Sequence, residues 1–297
     1  MPQLAIRTKS IALEEWLATV DSLITDAIIG CYSRNWNEDY ITRRWLEAIT
    51  GNLGPVTIAD VSSPFSVAWD AYKATGKVEN KYGDVGVIVR FQIRVGLESK
   101  TLVGVGFLEA KRLDPETGTY NHIRWDQLTR QGCNIASHRV LLYDFEEMEE
   151  AGLNLQSHGF CQHLEVEPYR RVHASVLITQ HVLAVRSRSR SLRALGVPLG
   201  YQICSRYLRG LDLDYSLNPA EIIDNMPGGP GYLLVADIFT DEDTLGEGGA
   251  APLPQGYVHL AAESQPSAGA LQRLDRVGAC GMTEEQDEDE EGLALEG

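Results

Sequence analysis

The chain lacks the devices that stabilise small secreted folds or bind metals through sulfur. Its five cysteines (Cys31, Cys133, Cys161, Cys204 and Cys280) are odd in number, scattered, and never spaced as CxxC. That argues against a disulfide framework and for reduced thiols. His158, Cys161 and His163 form a ligand-rich cluster, but without the spacing of a zinc site it reads as a loop. No apolar run reaches the roughly 20 residues that a membrane helix needs. The longest candidate, 174–185, is interrupted by Thr179, Gln180 and His181. The opening MPQLAIRTKS has no signal-peptide core, so a cytoplasmic location is expected and no membrane partner. Internal repeats are also missing.

Charge is unevenly distributed. The 297 residues hold 42 acids and 26 Lys and Arg, a net charge of −16 that looks wrong for a nucleic-acid enzyme. Eight acids lie from Glu284 onward with no base among them, and without them the balance is −8. Residues 169–210 hold eight arginines and no acid. A local positive field of that kind suits phosphates, whatever the sum over the chain.

Apolar spacing predicts an amphipathic helix over 11–31 and a second over 37–49, with Gly51 as a stop. Three strand-like segments follow at 65–73, 84–94 and 102–111, the last two separated by the polar connector GLESK. A helix is expected at 122–133 and a buried strand at 139–145. Beyond Met148 the pattern is less regular. Residues 172–185 read as a buried strand pair or a helix, 200–210 as a helix, and 231–239 as a late strand. The expected organisation is an N-terminal region and α/β core at 1–150, a C-terminal extension with its arginine-rich segment at 151–245, and a Gly/Pro-rich, acidic, disordered tail at 246–297.

Chemistry gathers at the hairpin. A turn centred between Leu97 and Glu98 pairs Asp84 with Lys111 and brings Glu109 within one strand step. Glu109 and Lys111 continue the alternation of Val103, Val105 and Phe107, so they end a face that the pattern buries. A carboxylate and an ammonium are costly there unless paired or bound to a metal. Two carboxylates and the Ala110 carbonyl form an oxygen-rich set suited to Mg²⁺ or Mn²⁺. One feature does not fit: Asp84 alternates with Gly86, Ile88 and Arg90, not with Val85 and Val87.

The segment GKVENKYGDVGVIVRFQI…GVGFLEAKR…IRWDQLTRQ…HRVLLYDF resembles the PD-(D/E)XK nuclease superfamily over about 37–145. Asp84 matches the motif's aspartate and Glu109-Ala110-Lys111 its E-x-K, while Gly83 replaces the motif's proline. The resemblance implies a restriction endonuclease-like core. That is a central mixed sheet of four to five strands flanked by helices, in the order helix, three strands, helix, strand. It also implies Mg²⁺-dependent phosphodiester hydrolysis, expected in DNA, in prokaryotic antiviral defence or DNA processing. Asp84, Glu109, Lys111 and Gln127 would be catalytic. Asp84, Glu109 and the Ala110 carbonyl would hold the metal, with Glu47 or Glu38 from the first core helix as a further ligand. A non-catalytic nucleic-acid- or protein-binding protein of the same fold is the alternative.

Other residues are weaker candidates. Arg130, Arg186, Arg188, Arg190 and Arg193 could meet phosphates, or the arginine series could form an exposed loop or pair with the acidic tail. Glu79 reads as a loop acid. Trp36, Trp45, Trp69 and Trp125 read as core or rim packing. The expected partner is nucleic acid, with a protein partner or a second copy of the chain left open.

Overall fold

The apolar stripe over 11–31 does form a helix, α1 (Leu13–Tyr32), while Ser10–Ala12 becomes a short strand, β1. Helix α2 (Glu38–Asn52) starts where Asn37 caps it, the Asn37 side chain accepting from the Tyr40 N–H at 2.8 Å. It runs through Gly51, the expected stop, and ends at Leu53. The computed structural model describes residues 10–32, 34–59, 64–75, 82–95, 98–147, 172–216, 229–240 and 256–260. Glu79, the cluster of His158, Cys161 and His163, and the acidic tail lie outside them.

The architecture is α/β, with one large mixed sheet. The N-terminal strands are β2 (Val56–Ala59), β3 (Phe65–Ala74), β4 (Val85–Val95) and β5 (Glu98–Arg112). Helix α3 (Trp125–Asn134) then leads to β6 (His138–Tyr143), which lies parallel to β5. Residues 172–185, read as strand or helix, are both: β7 (Ala174–Ile178) runs into α4 (Thr179–Val185). The remaining strands are β8 (Val197–Pro198), β9 (Tyr232–Phe239) and β10 (Tyr257–His259).

The strand order is β1-β2-β3-β9-β4-β5-β6-β7-β8, with β10 also on β3. The sheet is thus larger than the expected four or five strands, because the short strands β1 and β2 and the segments β7 to β10 from beyond residue 150 join it. The late strand β9 inserts between β3 and β4, antiparallel to the first and parallel to the second. It is almost entirely buried and nearly uniformly apolar, as befits a central strand covered on both faces.

Alternation on β6 shows the two faces. Leu141 and Tyr143 point into the core formed with α1 and α2, whereas Val140 and Leu142 join Leu128 of α3 and Val182 of α4 on the other side. Residues 199–209 form an irregular helical run that passes through a π-turn (Gln202–Arg206) and ends at Gly210, where φ is +76°. Among the described residues no helix is long and apolar enough to cross a membrane.

Helix α2 is fastened to the sheet by polar contacts inside the core. The Tyr143 hydroxyl accepts from Trp45 Nε1 at 2.7 Å and shares a 2.9 Å hydrogen bond with Thr42 Oγ1. All three residues are buried. Tyr143→Phe removes the acceptor and strands the Trp45 N–H, which should cost about 1–3 kcal/mol of stability. A denaturation midpoint unchanged from wild type would show that the network does not anchor the helix.

Candidate active site

The hairpin pairs in a different register from the one expected. Val85 lies opposite Leu108 and Val95 opposite Glu98, so only two residues separate the paired ends. Two-residue connections are favoured because their twist matches that of the strands. The register therefore slips by two, and Asp84 lies level with Glu109 instead of Lys111. A slip of two preserves the faces. The apparent misfit of Asp84 also disappears: Gly86 lies opposite Phe107 and Ile88 opposite Val105, and cross-strand partners share a face. Asp84, Glu109 and Lys111 therefore belong to the same side of the sheet.

Gly83 is needed for this arrangement. Its φ of +109° is closed to proline, and a Cβ there would meet the Leu108 carbonyl oxygen at 2.9 Å. The close approach lets the Asp84 N–H donate to that carbonyl at 2.9 Å, while Asp84 Oδ2 accepts from the Ala110 N–H at 2.8 Å. The aspartate is clamped across the strand pair by backbone.

Glu109 and Lys111 are the centre. They are 1% and 6% exposed, and Lys111 Nζ donates to Glu109 Oε1 at 2.6 Å and to the Ala110 carbonyl at 2.8 Å. Asp84 Oδ2 and Glu38 Oε2 each lie 3.9 Å from the same ammonium. From α3, Gln127 donates to Glu109 Oε1 at 2.8 Å and Gln131 to Oε2 at 3.1 Å. Gln131 was missed in the sequence. Its signal is the spacing of four from Gln127, which puts both amides on one helix face.

Of the two helix acids offered as a further ligand, the structure brings in Glu38 alone. It opens α2, and its Oε1 accepts from the Arg112 N–H at 3.1 Å. Trp36 Nε1 donates to the Leu113 carbonyl at 2.7 Å and holds the helix start against this strand end. Glu47 is nine residues further along α2, roughly 13 Å at the helical rise. It is occupied by Arg43 at 2.6 Å and Arg44 at 2.9 Å.

The electrostatics follow from burial. Desolvation and the Glu109 charge push the Asp84 carboxyl up to about 7, against the pull of Lys111 and the Ala110 N–H. Burial by itself would lower the Lys111 ammonium, but Glu109, Asp84 and Glu38 together hold it above its ordinary value. The ammonium already stands as a cation among two carboxylates, a carbonyl and a third acid, an all-oxygen set of the kind hard divalent ions take. Among the described residues, no three His, Cys, Asp or Glu side chains are grouped closely enough to hold a metal by themselves. Mg²⁺ typically needs only one or two carboxylates and keeps several waters, so Asp84, Glu109 and the Ala110 carbonyl fit it without a third.

Two members of the arginine series, Arg190 and Arg193, are taken up by carboxylates of the chain itself. Arg190 donates to Asp144 at 2.6 and 2.9 Å and also pairs with Glu146, while Arg193 is buried against Asp144. Arg188 donates to the Ile123 carbonyl at 2.8 Å and stacks on Trp125. Arg186 caps α4 in the left-handed region, and Arg130 is an exposed residue of α3, 3.8 Å from Asp126. None of the five is brought to Lys111 by a contact among the described residues.

Compared with known proteins, the chain gives no significant match to any family model, curated protein or solved structure.

Two outcomes follow from this geometry. An Asp84 carboxyl raised from 3.8 to about 7 on folding holds more protons folded than unfolded, so its contribution to stability is complete below 3.8 and lost as pH rises through 7. Asp84→Asn should therefore flatten the fall in stability between these values for metal-free protein in urea titrations, and parallel slopes would contradict the assignment. Separately, Asp144→Ala removes the buried carboxylate that Arg190 and Arg193 both meet and should cost about 3–5 kcal/mol. A loss within 0.5 kcal/mol, roughly what a surface change gives, would mean that the cluster is not a structural strut.

Proposed function

We propose that this chain is a metal-dependent nuclease that hydrolyses phosphodiester bonds, in DNA in the first instance. The observation behind this reading is the meeting of Asp84, Glu109 and a buried Lys111 at one end of a strand pair, with Glu38 and Gln127 converging from the two flanking helices. The order α2, β2, β3, β4, β5, α3, β6 supports a restriction endonuclease-like core, since it holds the helix, three strands, helix, strand pattern of the PD-(D/E)XK resemblance with one additional strand, β2, after the first helix. The insertion of β9 between β3 and β4 would be this chain's elaboration of that core.

Asp84, Glu109 and the Ala110 carbonyl would hold Mg²⁺ or Mn²⁺. When bound, such an ion polarises the phosphate and makes water a better nucleophile near neutral pH. Lys111, whose ammonium is held above its ordinary value by its carboxylate neighbours, donates hydrogen bonds to Glu109 and the Ala110 carbonyl. Its role is to orient the attacking water and to stabilise the negative charge that grows on the phosphoryl oxygens. Gln127 and Gln131 fix the Glu109 carboxylate by one oxygen each. Glu38, tied to the Arg112 N–H, closes the far side of the ammonium.

A cytoplasmic setting belongs to the same proposal, with Cys31, Cys133 and Cys204 present as free thiols. Defence or DNA processing is its biological context. The second reading, a non-catalytic nucleic-acid- or protein-binding protein of this fold, draws on the bond by which Lys111 already satisfies Glu109.

Cleavage of linear, circular and single-stranded DNA and of RNA, with Mg²⁺ or Mn²⁺ and with chelator, decides between them. Asp84→Ala and Lys111→Ala should each lower the rate by at least about 100-fold, and chelation should abolish it. Binding without cleavage by wild-type protein under every condition supports the second reading and ends the first.

A further inference from the structure

Beside the acidic centre lies an aromatic cluster that the proposed chemistry does not use. Tyr32, the last residue of α1, stacks on Phe145 with 4.4 Å between ring centroids and an interplanar angle of 17°. Trp36 meets both rings edge-on, at 5.6 and 5.9 Å. The trio is rigid. Trp36 is tethered through Nε1 to the Leu113 carbonyl, and the Arg190 guanidinium lies 5.3 Å from the Phe145 ring centre while bonded to Asp144. Yet Tyr32 is 44% exposed. A ring held in a stack with much of its surface in water is prearranged for a flat partner, since little conformational freedom is left to lose on binding.

Its location connects it to the acidic centre. Leu113, the tether of Trp36, is two residues past Lys111, roughly 7 Å along the chain. Trp36 also precedes by two residues Glu38, whose carboxylate is 3.9 Å from the Lys111 ammonium. Two cations neighbour these elements along the chain. Arg34 is exposed in the connection between Tyr32 and Trp36, and Arg112 adjoins Lys111. Neither makes a salt bridge among the described residues, although Arg112 acts on Asp114 at longer range. In a chain of net charge −16, cations not taken up by salt bridges beside an exposed aromatic ring favour an anionic ligand with a flat ring over an apolar peptide.

We propose that Tyr32, backed by Phe145 and Trp36, stacks on a nucleobase of the substrate strand next to the scissile phosphate, with Arg34 and Arg112 meeting the flanking phosphates. The inference rests on the nuclease reading and adds to it the base-contacting surface. Stacking on a π-face is tolerant of sequence, so this contact favours strands with an unpaired base near the cut over a particular base.

The test is binding of full-length protein to labelled oligothymidylate and to an abasic oligomer of equal length, by fluorescence anisotropy, with Ca²⁺ in place of Mg²⁺. Tyr32→Ala and Tyr32→Leu should weaken oligothymidylate binding by about 5- to 100-fold, and Tyr32→Phe should return it to within about twofold of wild type. Binding of the abasic oligomer should be the same for all four proteins. Tyr32→Leu keeps apolar packing against Phe145, so a folding defect confined to Tyr32→Ala does not spoil the comparison. Unchanged affinity in the leucine variant, or an equal loss on the abasic oligomer, overturns the stacking proposal and leaves the nuclease reading intact. Wild-type protein that neither binds nor cleaves either oligomer overturns the nuclease reading itself.

Discussion

A carboxylate and an ammonium buried side by side at the end of an apolar strand are expensive to desolvate, and the surrounding structure is organised around offsetting that cost. Glu109 and Lys111 satisfy each other at 2.6 Å, but one bond is not enough for two fully enclosed charges. The Ala110 carbonyl takes a second ammonium proton, and amides from α3 meet both glutamate oxygens. Asp84 and Glu38 supply the extra negative charge that keeps the lysine ionised despite its burial. Three separate elements, the turn before β4, the start of α2 and the first turns of α3, are thus committed to one pair of residues.

An arrangement that burdens the fold in this way is most easily understood as functional. A strand end needing only stability would carry apolar residues of similar volume, and replacing a buried ion pair in that way is often neutral or stabilising. The contrast with Asp144 is instructive. That aspartate is also fully buried, but two arginines and a backbone N–H satisfy it, which is what a structural strut requires. At Lys111 three carboxylates surround one ammonium, leaving a local surplus of negative charge that a divalent cation would relieve.

The C-terminal half has a different part. Strands β7, β8 and β9 complete the sheet on which the centre sits, and the arginine-rich stretch ties their connections to the end of β6. Of the described arginines in that stretch, Arg190, Arg193 and Arg206 are taken up by carboxylates of the chain itself.

Periodicity was enough to locate α1, α2, the β4–β5 hairpin, α3 and β6, because each buries one face against a neighbour and repeats at the period of its own backbone. The same alternation placed Glu109 and Lys111 on a buried face, as they are found. Register, partner choice and non-local pairing were beyond it. The two-residue hairpin connection shifted Asp84 from Lys111 to Glu109, and helical rise separated Glu47 from the centre while the capped start of α2 delivered Glu38. Gln131 joined only because α3 packs over β5, β9 slipped between two strands from the N-terminal half of the chain, and Asp144 claimed arginines that had looked free. Local pattern reports which residues must be buried and at what spacing; which distant group meets them depends on long-range packing, and that information is spread over the whole chain.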